Sequence, residues 1–108
     1  MNINIVTTKS TSIVNLRYHR AEIYCGRGSI FGNPFIIGRD GTRDDVCEKF
    51  IVYFKKKLID PQFRDKVLAV KGKTLGCWCQ CMPKCNYPKC VPQRCHLETI
   101  VEYISMYE

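Results

Sequence analysis

The chain has 108 residues, of which 45% are hydrophobic and 25% are charged, as in a small globular domain. Its formal charge is +7, from 17 Lys and Arg against 10 Asp and Glu, so an anionic partner is compatible with the charge but not required by it. The absence of about 20 consecutive apolar residues excludes a transmembrane helix, and the first residues do not resemble a signal peptide. We therefore expect one domain over residues 1–108 in an intracellular, cytoplasmic setting, without membrane association.

In the first part of the chain, residues 3–7 alternate and are rich in β-branched side chains, which predicts a strand, whereas residues 13–18 are ambiguous. Residues 21–25 predict a second strand that ends at Gly26. Five glycines and a proline in residues 26–41 then predict a long irregular loop.

Two helices are predicted next. Thr42 is suited to the N-cap of the first, and Asp45 occupies the matching capping-box position. Apolar residues recur every four positions on the core-facing side of this helix: Val46, Phe50, Phe54 and Leu58. Pro61 ends it and opens a short second helix that extends to Val67.

Residues 74–79 predict a third strand, and residues 80–94 predict an irregular loop because they hold three prolines and lack periodicity. The apolar positions from residue 97 to 107 have helical spacing and predict an amphipathic C-terminal helix. The order strand, strand, helix, strand, helix predicts an α/β fold, a small two-layer or three-layer sandwich with a partly parallel sheet.

Eight cysteines are the strongest chemical signal, and six of them lie between residues 77 and 95. In a reducing compartment such clustering indicates metal ligands rather than disulfides. The sequence thus predicts a cysteine-rich metal-binding insert at residues 77–96. Zinc is the predicted ion, and an iron–sulfur cluster is the alternative.

The predicted zinc ligands are two pairs of neighbouring residues. Cys77 and Cys79 would project from one face of the third strand, with Trp78 facing the other way. Cys95 and His96 stand at a helix start, where the helix dipole favours thiolate. Because four protein ligands would close the coordination shell, this pattern favours a structural ion that joins the strand to the last helix.

The remaining clustered cysteines are candidates for a second metal: Cys81, Cys85 and Cys90. A fourth ligand would then come from water or from one of three distant residues: Cys25, Cys47 or His19. Two other interpretations stay open. These cysteines could replace members of the first set, because Cys79 and Cys81 have the same spacing as Cys77 and Cys79, or they could be spectators in the loop.

A second candidate site is the glycine-rich loop, whose polar side chains suit an anion: Arg27, Ser29, Asn33, Arg39, Asp40, Thr42 and Arg43. Arginine presents a fixed fork of donors to phosphate or carboxylate, but the Gly-x-Gly-x-x-Gly spacing is absent. The alternative is an ordered loop in which Arg and Asp pair with each other. If the protein is an enzyme, we expect its chemistry in this loop, with Asp40 as acid or base.

The segments Gly-Arg-Gly-Ser-Ile-Phe-Gly-Asn-Pro-Phe at 26–35 and Ile-Gly-Arg-Asp-Gly-Thr-Arg at 37–43, with Gly-Cys-Trp-Cys at 76–79 and Cys95-His96, resemble an uncharacterised family of small phage and bacterial proteins. The resemblance covers residues 14–107. It implies a viral or mobile-element context, including the cytoplasm of an infected host, a polar site in the 26–43 loop and a metal site at the Cys and His motifs. The chain departs from this family by its long insert between Cys79 and Cys95.

Three functions follow as hypotheses. The first is a module stabilised by zinc that binds a phosphate-bearing ligand, either a nucleotide or nucleic acid. The second is an enzyme that acts on a nucleotide or nucleoside-like substrate through the 26–43 loop. The third is a protein-interaction module whose cysteine-rich insert contacts a partner.

Overall fold

The computed structural model describes residues 10–107, so the strand predicted at residues 3–7 lies outside the described part of the chain. Within residues 10–107 the fold is α/β, with three strands: β1 (Ser12–Asn15), β2 (Ile23–Tyr24) and β3 (Thr74–Cys77). Both strand pairs are parallel and the sheet order is β1-β3-β2, so β3 lies at the centre. The connection from β2 to β3 contains two helices, which provide the long crossover that parallel strands need.

The described part of the chain has three helices in the predicted order: α1 (Arg43–Lys57), α2 (Pro61–Leu68) and α3 (Leu97–Ser105). The predicted capping box is confirmed, because Thr42 accepts from the backbone of Asp45 while the Asp45 side chain accepts from the Thr42 backbone. Pro61 occupies the first turn of α2, where its missing N–H costs nothing. Within residues 10–107, none of the helices has the length and apolar character needed to cross a membrane.

One hydrophobic core joins the sheet to the helices. Phe50 and Phe54 of α1 are buried, and the Phe54 ring meets Phe63 of α2 and Tyr103 of α3 edge-on. The core also includes central residues of the strands and of α3: Ile13, Leu75, Leu97, Ile100 and Ile104. Its aromatic contacts thus fix α3, and with it the cysteine before α3, against α1.

Gly76 in β3 allows the chain between β1 and β2 to pack directly onto the sheet. A Cβ atom there would lie 2.6 Å from Cβ of Ala21 and 2.7 Å from Cδ2 of Leu16. Only a residue without a side chain fits this approach.

The strands are shorter than predicted, and this affects the metal site. β3 ends at Cys77 rather than at residue 79, and a bend follows. Trp78, which is 52% exposed, and Cys79 lie in this bend rather than in the strand. Residues 80–94 are irregular as predicted, apart from an antiparallel bridge between Ile13 and Met82.

Candidate metal centre and its cavity

Three of the four predicted zinc ligands converge. The Sγ atoms of Cys77, Cys79 and Cys95 all lie within 4.8 Å of one another. Cys77 ends β3, Cys79 follows in the bend, and Cys95 stands two residues before α3. The thiols of a strand end and a helix start therefore meet where a single metal ion could bind all three.

Backbone and side-chain donors surround these sulfur atoms. The backbone N–H of Cys79 donates to Sγ of Cys77 at 3.4 Å, which holds the bend. Nη1 of Arg43 donates to Sγ of Cys79 at 3.1 Å and to the carbonyl of Arg94, also at 3.1 Å. Such donors stabilise thiolates and orient them, as outer-shell groups do around metal ligands.

The three thiols titrate as a unit. Hydrogen bonds with Cys77 and Cys95, and then the guanidinium of Arg43, hold the pKa of Cys79 far below its usual range. The pKa of Cys95 is raised, first by its hydrogen bonds with Cys77 and Cys79. One thiolate therefore forms readily and opposes ionisation of its neighbours. A divalent cation would offset this repulsion, so the donor set fits a metal ion.

His96 lies beside the cluster but is not one of the three converging groups. Its Nε2 lies 3.0 Å from the carbonyl oxygens of both Cys25 and Phe31, and because carbonyls only accept, Nε2 carries the proton. Burial lowers the pKa of His96, which favours the neutral ring. The lone pair is then on Nδ1, which lies 3.8 Å from Sγ of Cys95. This tautomer is the one that a metal-binding histidine uses when its other nitrogen is held by a carbonyl.

Several polar residues of the 26–43 loop form hydrogen bonds within the loop or at its junction with α1. Oδ2 of Asp40 accepts from the Arg39 guanidinium at 2.9 Å and from the backbone N–H of Ile36 at 2.8 Å, which lowers the pKa of Asp40. The Ser29 hydroxyl donates to the carbonyl of Gly26 at 2.7 Å. Thr42 is occupied as the N-cap of α1. The pairing of Arg with Asp matches the alternative interpretation of this loop.

Other loop residues face a cavity of about 190 Å³ that extends to the three thiols. Arg27, Asn33 and Arg43 line it. Asn33 is held in place, because it donates to the carbonyl of Val46 at 3.1 Å and accepts from the backbone of Phe35 at 3.0 Å. The loop and the cysteine cluster, treated as separate sites in the sequence, therefore share one cavity.

Arg94 and Trp78 are among the cavity residues that were not selected as site residues from the sequence. Arg94 lines the cavity, and its guanidinium pairs with Asp44 and Glu48 of α1. Trp78 forms part of the wall although the sequence placed it on the opposite side of the strand. Its position in the Cys-Trp-Cys segment was the available signal, whereas no local pattern marks Arg94.

The remaining cysteines form a second group. Three residues have ligand atoms within 4.8 Å of one another: His19, Cys81 and Cys85. Sγ of Cys90 lies 3.6 Å from Sγ of Cys81. Of the other proposed fourth ligands, Cys47 lines the cavity of the first cluster, and the thiol of Cys25 contacts the carbonyl of Ile23 at 3.6 Å.

Comparison with known proteins finds a family model and a viral relative. The family model of a domain of unknown function, DUF4326, matches residues 7–106. The uncharacterised protein R718 of Acanthamoeba polyphaga mimivirus is 37% identical over 68 residues, which are 54% of this chain and 49% of the viral protein. The chain thus spans about half the length of this curated relative. No solved structure matches it.

Proposed function

The chain belongs to the DUF4326 family, a domain of unknown function, and we propose that it is a zinc-binding protein whose cavity binds a mononucleotide or a similar phosphate-bearing ligand. The zinc ligands are three thiolates and an imidazole: Cys77, Cys79, Cys95 and His96. Sulfur and imidazole donors in a set of four are the ligands that zinc prefers. The mimivirus relative supports a role as an accessory protein of a virus or mobile element.

The observation that carries the ligand proposal is the free guanidinium of Arg27. Its side chain lines the cavity, is exposed, and forms no hydrogen bond or ion pair within residues 10–107. Arg39, by contrast, is paired with Asp40. An unpaired arginine at a concave site is suited to a bidentate bond with phosphate.

Trp78 supports an aromatic base on the same ligand. Its ring is half exposed and lines the cavity with Arg27 and Phe35. Stacking of a base on an aromatic face contributes about 1–3 kcal/mol. Because the cavity is small, a single nucleotide fits this arrangement better than an extended strand.

Trp78 also provides the test, because it is the only tryptophan in the chain. We expect mononucleotides to quench its fluorescence, and the corresponding nucleosides to bind at least about tenfold more weakly, since they lack the charge-assisted bond to Arg27. Arg27→Gln should remove this preference and Arg27→Lys should retain part of it. Arg39→Gln is the matched control, because its partner is Asp40 and it does not line the cavity.

Equal binding of nucleosides and nucleotides, or an equal effect of Arg39→Gln, would contradict the proposal. Single-stranded DNA and RNA belong in the same titration. An affinity that grows with strand length and falls steeply with salt would instead favour nucleic acid as the partner.

An enzyme is the second candidate, because the cavity reaches the three thiols while His96 is outside their group. Catalytic zinc keeps one position open for water or substrate. Asp40, the acid–base candidate from the sequence, is not among the residues that line this cavity. The visible spectrum of cobalt-substituted protein separates the two candidates. Inorganic phosphate or nucleotide should change this spectrum only if a coordination position is open. The substitution His96→Gln should change it only if His96 is a ligand.

A further inference from the structure

The loop of residues 81–93, here called the cysteine loop, has little regular structure and buries little apolar surface. It has no helix, and its strand-like pairing is limited to the bridge at Met82. Its inward-facing side chains are its three cysteines: Cys81 and Cys90 are buried and Cys85 is half-buried, while every other residue of the loop is exposed. Three thiols bury too little apolar surface to order thirteen residues.

These cysteines nevertheless converge on one point. The ligand atoms of Cys81, Cys85 and His19 lie within 4.8 Å of one another, and Sγ of Cys90 is 3.6 Å from that of Cys81. The backbone N–H of Asn15 donates to Sγ of Cys81 at 3.3 Å. Convergence of otherwise unsupported thiols, with a backbone donor to one of them, is typical of a metal site.

His19 supplies an independent observation. Its Nε2 atom is buried and lacks a hydrogen-bond partner among residues 10–107. A buried ring nitrogen without a partner is costly, so it requires an explanation such as an ion. The turn after β1 positions His19, because the backbone N–H of His19 donates to the carbonyl of Asn15 at 3.0 Å.

We propose a second tetrahedral zinc site, which folds the cysteine loop onto the β1–β2 connection through four ligands: His19, Cys81, Cys85 and Cys90. It shares no ligand with the first cluster and does not depend on the proposed function. Contacts beside it join the same two segments: the rings of Tyr18 and Tyr87 are 4.4 Å apart, and the Tyr18 hydroxyl donates to the carbonyl of Lys89 at 3.3 Å. The ion would thus replace the core that the loop lacks.

Metal stoichiometry tests the site in the full chain, purified under reducing conditions without added metal. Native mass spectrometry should show two zinc ions per chain for the wild type. Cys85→Ser, Cys90→Ser and His19→Ala should each lose one of them, whereas His19→Cys should keep both because a thiolate replaces the imidazole. Cys47→Ala is the matched control, since Cys47 belongs to neither cluster, and it should keep two.

Limited proteolysis gives a readout that does not depend on counting ions. Trypsin should cleave after the exposed Lys84 and Lys89 faster in His19→Ala than in the wild type, and His19→Cys should restore protection. A zinc count that stays the same in Cys85→Ser, Cys90→Ser and His19→Ala as in the wild type, a Cys81–Cys90 disulfide, or an iron–sulfur chromophore would overturn the proposal. Two zinc ions in His19→Ala would overturn the role of His19.

Discussion

The two cysteine clusters are neighbours in the chain but have different surroundings. Cys77 and Cys95 are 2% and 3% exposed and belong to the same core as Phe50 and Ile100. The cysteine loop has no such core, and its cysteines are its only inward-facing residues. A metal ion at the first cluster would therefore add to packing that already exists, whereas an ion at the second would stand in for packing.

The largest expected effect distinguishes these two roles. Cys95→Ser removes a thiol from the core cluster and should lower the free energy of unfolding by about 4 kcal/mol or more, as loss of a metal site does. Cys90→Ser should lower it by less than about 1 kcal/mol, because only an exposed loop is released. Urea unfolding followed by far-UV circular dichroism measures both.

The comparison fails if the two substitutions lower the free energy of unfolding by the same amount. A large global loss in Cys90→Ser would show that the cysteine loop supports the core. A small loss in Cys95→Ser would show that the aromatic packing of α1 against α3 suffices without the first ion.

The second prediction concerns Arg43, which contacts the first cluster only. Arg43→Met removes the donor to Sγ of Cys79 and should lower zinc affinity at that cluster about tenfold, the lower end of outer-shell effects. Competition with a chromophoric chelator measures it, with alkylation of Cys85 as the report on the second cluster. Arg27→Met is the control, since Arg27 makes no bond to a thiol among residues 10–107 and should leave zinc affinity unchanged. Weakening of both clusters together would mean that they are coupled.

Signals within a few residues of one another predicted the fold well. The capping box at Thr42 and the helical spacing from Leu97 to Ile104 were confirmed because each depends on the local backbone. The convergence of Cys77, Cys79 and Cys95 was also predictable, since a strand end and a helix start carry them. What the sequence could not provide was the extent of the strands, which depends on pairing with distant segments.

Residues joined across long stretches of chain were harder to predict. The Arg43 side chain contacts the carbonyl of Arg94 beside the first cluster, although the two residues are 51 positions apart in the chain. His19 was only one of several possible fourth ligands, because its proximity to Cys81 requires the turn after β1 and the bridge at Met82. Asp40, proposed as an acid or base, is instead bonded within its own loop.

The smallest expected effect concerns the role of Asp40 in holding its own loop, which lies beside the first cluster. The guanidinium of Arg39 and the backbone N–H of Ile36 lower the pKa of Asp40 below its ordinary value of 3.8. A carboxyl whose pKa is lower in the folded state stabilises the fold at neutral pH, and this contribution is lost as pH falls through the folded value. Asp40→Asn should therefore reduce Tm slightly at pH 7, and its difference from the wild type should shrink below about pH 4.

The comparison of wild type with Asp40→Asn isolates this carboxyl, because any release of metal in acid affects both proteins. The Ile36 amide provides a local readout by NMR, since its N–H donates to Oδ2 of Asp40. A catalytic Asp40 would give a different result: nucleotide turnover would be lost in Asp40→Asn while Tm and the Ile36 resonance stayed unchanged. If Asp40 instead holds its loop, Tm and the Ile36 resonance change, and the metal content of the chain stays the same.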